Sequence, residues 1–481
     1  MIASPARTSG PRLRRSLRLA AAACLGTTAL LSAYTPAAAS SKPARLNVVI
    51  ILADDAGYRD FGFQGSREIS TPNIDALARQ GIVYSDAYAS MPFCSPSRAG
   101  LLTGRYTQRF GYEFNLTQAP PKGVEARFMG LDTGERTAAD LFRAAGYATY
   151  AVGKWHVGEQ PQFDPRTRGF DHFYGFLGGG SSYFPNRIAA AAIQRDGAPE
   201  TPGRYLTDQF GEEAARDIEE SKDRPFLLYL AFNAVHAPMD ALAADEARFP
   251  AIKDPQRRRL AAMSWALDRA VGKVIETLRR TGADRNTLIV FANDNGGDRV
   301  GIGAYNTPLR GTKGTLLEGG IRVPLIVRLP DRGRAGTKVT APVSLLDVLP
   351  TALELSGAQV PQSLDGLSLL SDPAKLAARP LYWRYDNMAA MRDGRWKLLR
   401  YPDRPPELYD LVGDIGETRN LADADPERVR SMMKRLFAWE GTLEHPRWHT
   451  GTFWSQEDVR RYSADHVAKE NIAERKALFG K

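Results

Sequence analysis

Cysteine is nearly absent from this chain of 481 residues, which contains two, Cys24 and Cys94. Cys24 lies in an N-terminal stretch that we predict is removed, so Cys94 remains as the single cysteine of the mature chain. A single cysteine excludes an intramolecular disulfide. Cys94 is therefore either an inert buried thiol or a functional group.

The chain also lacks an acidic excess and an apolar run long enough to span a membrane. Its formal charge is +9, but five arginines and no acid fall within residues 1–39, so removing them leaves +4. An excess of this size is compatible with polyanionic substrates, and we expect no nucleic-acid partner. We also expect no stable membrane insertion, which needs about 20 consecutive apolar residues.

Residues 1–39 have the pattern of an export signal. Basic residues precede an apolar stretch at 19–31, and three alanines at 37–39 form a small-residue cleavage site. We therefore predict a cleaved signal peptide and a secreted or periplasmic protein of the bacterial type. Arg14-Arg15 matches a twin-arginine signal only in part, so the export route, Sec or Tat, stays open.

Up to about residue 370, β-branched and apolar runs alternate with amphipathic stretches. The runs predict buried strands at 46–52, 147–153, 225–232, 287–292 and 323–328. The amphipathic stretches predict helices at 71–81, 137–145 and 263–280. This order favours an α/β fold with helices on both faces of the sheet.

Beyond residue 370 the pattern changes to short strands separated by turn residues. They are predicted at 380–385, 389–392, 396–401 and 407–410, and a helix follows at 427–440. Asp393-Gly394 is a strong hairpin signal. We predict a catalytic domain at 40–370 and a C-terminal subdomain at 371–481, made of a small antiparallel sheet, a helix and a tail.

Four of the predicted buried strands are followed closely by polar side chains. These are Asp54 and Asp55, Lys154 and His156, His236, and Asp294 and Asn295. Ligands of such sheets bind at the carboxyl ends of the strands, so these residues predict one site. Adjacent carboxylates repel each other unless a cation lies between them. An all-oxygen ligand set favours Ca²⁺ or Mg²⁺ over zinc.

Cys94 opens the stretch Cys-Ser-Pro-Ser-Arg, which has the features of a helix start. Pro96 suits the first helical position, where its missing N–H would have no partner in any case. The helix N-terminus then directs free N–H groups at residue 94, which favours anion chemistry there. Arg98, one turn further on, adds a permanently charged fork for a tetrahedral oxyanion.

Residues 94–105, CSPSRAGLLTGR, resemble the signature of the type I sulfatases of the alkaline phosphatase superfamily. Lys154 and His156 resemble a second sulfatase pair, and residues 318–324, EGGIRVP, resemble a sulfatase block that follows a substrate lysine, here Lys313. The resemblance covers about residues 45–440. It implies a large mixed sheet sandwiched by helices, with a smaller C-terminal antiparallel sheet plus helix.

The resemblance also implies the chemistry of the site. Cys94 would be converted to formylglycine (3-oxoalanine) by a maturation enzyme, and the hydrated aldehyde would attack the sulfur of a sulfate ester. One calcium ion would be held by Asp54, Asp55, Asp294 and Asn295 together with residue 94, although oxygen ligation alone does not choose calcium over magnesium. The implied catalytic residues are Cys94, Arg98, Lys154, His156, His236 and Lys313.

Each implied catalytic residue has a role. Arg98, Lys154, Lys313 and the cation would absorb charge on the sulfuryl oxygens. His236, with Lys313, would protonate or stabilise the departing alkoxide. His156 would take the proton whose loss restores the aldehyde and releases sulfate.

Two other functions stay open. Phosphonate monoester and phosphodiester hydrolases of the same superfamily also carry Cys-x-Pro-x-Arg, but they usually place a histidine beside the later metal aspartate, where this chain has Asn295. A non-catalytic relative that binds sulfated glycans is the second alternative, against which every expected catalytic position is filled.

The export signal favours a sulfated glycan or oligosaccharide as the substrate. A polyanionic cleft would need basic and aromatic side chains, although we expect most of the candidates to be core or surface residues. The candidates are Tyr183, Phe184, Arg187, Trp383, Arg384 and Trp454.

Overall fold

The computed structural model describes residues 45–449 except 118, 186–191, 222–223 and 331–332. The predicted signal peptide and the candidates Arg187 and Trp454 lie outside the described residues. The strands are β1 (Asn47–Ala53), β2 (Ile82–Tyr84), β3 (Ala87–Tyr88), β4 (Ala148–Lys154), β5 (His172–Phe176), β6 (Gln194–Arg195), β7 (Ala198–Pro199), β8 (Phe226–Ala231), β9 (Thr287–Asn293), β10 (Leu325–Arg328), β11 (Thr337–Val339), β12 (Val343–Ser344), β13 (Leu381–Tyr385), β14 (Met388–Asp393), β15 (Trp396–Arg400) and β16 (Glu407–Asp410). The helices are α1 (Pro72–Gln80), α2 (Cys94–Thr103), α3 (Ala138–Ala144), α4 (Leu206–Glu220), α5 (Ala243–Glu246), α6 (Pro255–Arg280), α7 (Arg299–Ile302), α8 (Glu318–Ile321), α9 (Val348–Leu355), α10 (Pro373–Ala378) and α11 (Pro426–Glu440).

The main sheet is centred on the four strands whose ends carry the predicted site. Across its described part the order is β11-β2-β10-β9-β1-β8-β4-β5-β6-β7. Strands β9, β1, β8 and β4 are neighbours and parallel, so their carboxyl ends meet at one edge. β10 runs antiparallel to both β9 and β2, which makes the sheet mixed. The predicted α/β fold with a mixed sheet is confirmed.

Helices cover both faces of this sheet. Side chains alternate along β1, so Val48 and Ile50 join one apolar cluster whereas Val49 and Ile51 join another. Helices α2, α3 and α9 contribute to the first cluster, and α1, α4 and α6 contribute to the second. A strand buried on both faces has to be apolar throughout, which explains the continuous hydrophobic run in the sequence.

The prediction of a helix at 263–280 places the start of that helix too late in the chain. Helix α6 starts at Pro255, and the Asp254 side chain accepts a hydrogen bond from the backbone N–H of Arg257 at its N-terminus. Three consecutive arginines at 257–259 interrupt the apolar period that defined the prediction. Arg257 is nevertheless buried, because it pairs with Asp60 and Glu68.

The C-terminal strands form the predicted small antiparallel sheet, in the order β13-β14-β15-β16. Helix α11 packs on it through Met432 and Leu436, which join Met391, Leu398 and Leu408 in one apolar cluster. The division of the chain at residue 370 stays a prediction. Among the described residues, the structure contains no helix with the length and apolar character needed to cross a bilayer.

A buried ionic network joins β5 to α4, away from the predicted site. The two ring nitrogens of His172 face carboxylates, with Nδ1 2.9 Å from Asp196 Oδ2 and Nε2 3.2 Å from Glu213 Oε1, and Asp217 Oδ1 lies 3.8 Å from Nε2. These side chains are close enough to hold a metal ion. However, Arg195 also pairs with Glu213, so we interpret the cluster as an ion-pair network.

This network predicts a loss of stability at alkaline pH. Burial opposes charge on the imidazole, but hydrogen bonds to Glu213 and Asp196 and the charge of Asp217 raise the pKa of His172 to about 9. Burial also raises the pKa of Asp217 to about 8. Folding raises both pKa values. The stabilisation from His172 is fully present below pH 6.5 and is lost as the pH rises to about 9, whereas that from Asp217 is fully present only below pH 3.8 and declines up to about pH 8. For the partly exposed His172 we expect roughly 1 to 2 kcal/mol after solvent screening.

The measurement is the thermal midpoint between pH 6.5 and 9.5. We expect it to fall over this range in the unaltered protein and to fall much less in His172→Gln, which is already less stable at pH 6.5. Equal slopes for the two proteins would contradict the assignment.

Candidate active site

The carboxylates of the site lie at the edge of the sheet formed by the carboxyl ends of the strands. Backbone hydrogen bonds between neighbouring segments continue beyond those strand ends. Ala53 at the end of β1 is paired with Asn293 at the end of β9, so Asp54 and Asp294 follow side by side. The Asp54 N–H donates to the Ala234 carbonyl at 2.9 Å, and the Asp294 N–H donates to the Ala53 carbonyl at 3.1 Å. Asp54, Asp55, Asp294 and Asn295 are all buried. The predicted convergence of these four residues is therefore confirmed.

Cys94 is the first residue of helix α2, two residues before the start that the sequence predicts, and Phe93 caps the helix in an extended conformation. Pro96 is the third helical residue, which corrects the prediction that it occupies the first. The difference has little cost, since the N–H groups throughout the first turn lack partners within the helix. The Cys94 Sγ lies 3.5 Å from Asp54 Oδ1 and 3.7 Å from Asp55 Oδ1.

Burial raises the pKa of the Cys94 thiol well above its usual value, and Asp294 and Asp55 act in the same direction against Lys154 and Lys313. The unmodified side chain is thus a neutral thiol at neutral pH. A neutral thiol is a poor nucleophile.

Arg98 is fully buried one turn after Cys94 and is bound to the carboxylates. Its Nε and Nη2 donate to Asp294 Oδ2 at 3.0 and 2.9 Å, and its Nη1 donates to the Lys154 carbonyl at 2.9 Å. A further oxygen, Asp54 Oδ2, lies 3.4 Å away. Arg98 therefore connects α2 to the ends of β9, β4 and β1 with a rigid, permanently charged group.

Each of the two adjacent carboxylates is paired with one lysine. Lys154 Nζ lies 2.6 Å from Asp54 Oδ2, and Lys313 Nζ lies 2.6 Å from Asp55 Oδ2. Burial alone would raise the pKa of Asp54, but Lys154, His236 and Arg98 outweigh it and hold that pKa below its usual range. The partners of Lys313, with Asp55 the strongest, raise its pKa well above its usual value against the effect of burial. Lys313 is thus cationic.

The two histidines flank this cluster in different environments. His236 is 23% exposed, and its Nε2 lies 3.6 Å from Asp55 Oδ2 while its Nδ1 lies 2.5 Å from the Ala237 carbonyl. His156 is buried, and its Nδ1 has no hydrogen-bond partner within the described part of the chain. Burial, Lys154 and Arg98 lower the pKa of His156 well below its usual value, so its imidazole is neutral.

Sequence reasoning missed the loop that supports both histidines. The Tyr183 hydroxyl donates to the carbonyls of Asn233 at 2.5 Å and His236 at 2.8 Å, which fixes the His236 loop. Gly179 lies directly against His156, since a β-carbon there would come within 2.8 Å of its Nε2. The run Gly-Gly-Gly at 178–180 was the available signal for such a close approach.

The residues present fit a hard divalent cation. One ligand atom from each of Asp54, Asp55, Cys94 and His236 lies within 4.8 Å of the others. Asn295 donates its Nδ2 to Asp55 Oδ1 at 2.8 Å, whereas its Oδ1 is buried with no partner among residues that the structure describes. A buried acceptor without a donor is costly, and a cation would satisfy it. His236 was not predicted as part of this group.

Charge counting leads to the same expectation. The site holds three carboxylates, Asp54, Asp55 and Asp294, against three cations, Arg98, Lys154 and Lys313. Burial and the charge of Asp54 raise the pKa of Asp294, so keeping all three carboxylates ionised calls for further positive charge. A divalent cation would bring the site to a net +2, which favours binding of an anion.

The candidate cleft residues that are described are mainly structural. Trp383 is buried, with its Nε1 donating to the Ala89 carbonyl at 2.8 Å, and Tyr183 is buried as described above. Arg384 pairs with the buried Glu113. Phe184 is half-buried and packs against Tyr205. The expectation that most of these residues belong to the core or surface is confirmed for Tyr183 and Trp383.

Comparison with known families places this geometry. The profile of the family described as Sulfatase matches residues 46–358, and that described as N-sulphoglucosamine sulphohydrolase, C-terminal, matches residues 312–439. N-acetylgalactosamine-6-sulfatase of Homo sapiens is 32% identical over 384 residues, covering 75% of this chain and 72% of that protein. Arylsulfatase J of Mus musculus is 33% identical over 420 residues, covering 79% and 69%.

Solved structures agree with these matches. A structure described as Ps i-CgsB in complex with k-i-k-neocarrahexaose is 37% identical, with a TM-score of 0.80 over 88% of this chain and 99% of that one. The phosphonate monoester hydrolase of Agrobacterium radiobacter shares the fold, at 22% identity and a TM-score of 0.59 over 82% and 96%. The chain belongs to the sulfatase family, and it is a sulfuric ester hydrolase.

Proposed function

We propose that this protein is an exported sulfatase that removes sulfate from a glycan or oligosaccharide, using formylglycine made from Cys94 and one calcium ion. The observation that carries the proposal is that Cys94 lies within hydrogen-bonding distance of two adjacent carboxylates, each of which pairs with one lysine. This set of charges suits a sulfate ester, which carries its negative charge on the oxygens around sulfur.

The cation would be held by Asp54, Asp55, Asp294 and Asn295. When present, the cation and the aldehyde hydrate at position 94 would supply a nucleophile of lowered pKa and polarise the sulfate. Lys154 and Lys313 would bind the sulfuryl oxygens, where negative charge accumulates as the ester bond breaks. Arg98 would hold Asp294 and the end of β4 in place, so that this charge meets a preorganised environment.

The two histidines would handle the protons. His236 is the more exposed, and its Nε2 lies 3.6 Å from Asp55 Oδ2. Burial, Lys154 and Lys313 lower the pKa of His236, so it would first take up a proton and then give it to the oxygen of the departing alcohol. His156 is buried and neutral, so it is placed to accept the proton that leaves residue 94 when sulfate is released. The products would be an alcohol and sulfate, and both histidines would return to their starting states by exchange with solvent.

The likeness to other sulfatases supports a glycan substrate. Relatives at 32–33% identity are named for N-acetylgalactosamine-6-sulfate, and the structure at 37% identity holds k-i-k-neocarrahexaose. The predicted export signal would bring this chain into contact with such extracellular polymers. The maturation enzyme that converts Cys94 would then be a necessary partner.

The test is sulfate release by protein produced in a host with a formylglycine-generating enzyme. We expect sulfate, measured by ion chromatography, to appear from a panel of sulfated oligosaccharides, each checked by mass spectrometry for loss of one sulfate group. Aryl sulfate, aryl phosphonate and aryl phosphodiester with the same leaving group are assayed in parallel, because the shared fold does not separate these activities. Faster phosphonate or diester turnover would overturn the assignment, and binding of the oligosaccharides without turnover would support a non-catalytic relative.

A further inference from the structure

One tyrosine of the C-terminal sheet contacts two segments that carry residues of the catalytic site, one next to Cys94 and one next to Lys313. The Tyr385 hydroxyl donates to the Gly314 carbonyl at 2.6 Å, and Gly314 directly follows Lys313. The Tyr385 ring packs edge-on against Phe93, which directly precedes Cys94, with ring centroids 5.1 Å apart. Tyr385 is fully buried at the end of β13.

The two segments are also joined directly beneath this ring. The Gly314 N–H donates to the Pro92 carbonyl at 2.9 Å, so Gly314 is bound on one side to the loop before Cys94 and on the other to Tyr385. Gly314 has a φ of +86°, which an L side chain would not adopt readily. Gly314 therefore links the position of Lys313 to that of Cys94, beside the hydrogen bond from the Lys313 N–H to the Gly297 carbonyl at 3.1 Å.

A second strand of the same sheet holds the other end of the segment. Lys397 on β15 is completely buried, and its Nζ lies 2.9 Å from Glu318 Oε1 and 2.8 Å from Glu417 Oε1. Glu417 Oε2 in turn accepts the Glu318 N–H at 2.7 Å. Because a buried ion pair keeps its geometry only while all partners stay in place, residues 314–318 are held at both ends by the C-terminal sheet.

We propose that Tyr385 is a positioning residue for the reaction, which sets the distance between Lys313 and Cys94. This inference rests on the proposed role of Lys313 in binding the sulfuryl oxygens. The C-terminal sheet would then affect catalysis through the position of Lys313, since displacement of a charged group by about 1 Å can cost up to 10²-fold in rate.

The test compares Tyr385→Phe with Tyr84→Phe. Phenylalanine at 385 keeps the ring against Phe93 and removes the hydrogen bond to Gly314. Tyr84 is the matched control, because it is equally buried and its hydroxyl donates to the Leu369 carbonyl at 3.1 Å. We expect similar small losses of thermal midpoint in both variants, a fall in kcat/KM of roughly 10- to 100-fold in Tyr385→Phe alone, and a change of less than about twofold in Tyr84→Phe.

Two further readouts separate positioning from a general loss of structure. In a Lys313→Met background, Tyr385→Phe should cause no further fall in kcat/KM, because residues that act as a unit are not additive. Binding of inorganic sulfate, measured by calorimetry, should weaken in Tyr385→Phe and stay unchanged in Tyr84→Phe. Additive losses, or equal sulfate affinity in the two single variants, would overturn the inference. Measuring sulfate affinity needs no turnover. If the unaltered protein proves inactive, the proposed function is refuted, and the sulfate affinities of the two variants still decide whether Tyr385 positions Lys313.

Discussion

Replacing Cys94 by alanine is expected to lower kcat/KM for sulfate esters by at least ~10³-fold, since removal of a nucleophile has effects of this size or larger. The change removes the one side chain that contacts both Asp54 and Asp55 at the start of α2. Alanine is an excellent helix former and leaves the backbone of α2 unaltered. We therefore expect the far-ultraviolet circular dichroism and the thermal midpoint to change little. The assay is aryl sulfate turnover, followed by sulfate release from oligosaccharides.

Ser97→Ala is the matched control for this loss. Ser97 is buried in the same helix, and its Oγ has no hydrogen-bond partner among the described residues, so its removal costs little. It should retain activity. Mass spectrometry of the active protein should show the peptide that contains position 94 about 18 Da lighter than its thiol form. Retention of activity by Cys94→Ala, or an unmodified thiol in a fully active preparation, would refute the formylglycine mechanism.

The central strands could be predicted from the sequence because they are buried on both faces. Such strands must be apolar along their whole length, and β1 and β9 are confirmed within one or two residues at each end. The edge strands could not be predicted, since β6 and β7 are two residues long and have no apolar pattern. Helix α4 was missed because polar residues interrupt its apolar face, although Phe210 and Ile218 are buried.

The site could be predicted in outline because each strand end places its polar residues at a known edge. What the sequence does not contain is the pairing: Lys154 with Asp54, Lys313 with Asp55, and Arg98 with Asp294. Contacts between segments 100 to 258 residues apart depend on the strand order, which the sequence leaves open. Tyr385 was predicted only as part of a short strand for the same reason. Its function depends on two segments nearly 300 residues and about 70 residues earlier in the chain.

Removal of calcium is expected to abolish sulfate-ester hydrolysis, and added calcium should restore it. The structure places Asp54 and Asp55 side by side and buried, and the Asn295 Oδ1 near them has no hydrogen-bond partner in the described part of the chain. EGTA in the presence of excess magnesium removes calcium selectively, which tests the identity of the ion as well as the need for one. We also expect calcium to raise the thermal midpoint, because a ligand at 100 times its Kd stabilises the folded state by about 2.7 kcal/mol.

Asp55→Asn should weaken the calcium response, because it removes one charge from the ligand set and abolishes the ion pair between Asp55 and Lys313. Asp140→Asn makes the same chemical change at the N-terminus of α3, where the Asp140 side chain accepts a hydrogen bond from the Thr137 N–H. This variant should leave the calcium response unaltered. Both activity and thermal midpoint are measured against calcium concentration. Full activity in EDTA, which removes both ions, would refute the metal site, whereas full activity in EGTA with excess magnesium would keep the site and change the ion. Arg98, Lys154 and Lys313 already balance the charge of the three carboxylates, so a bound divalent cation would give the site a net positive charge. The shift in thermal midpoint reports whether that cation binds.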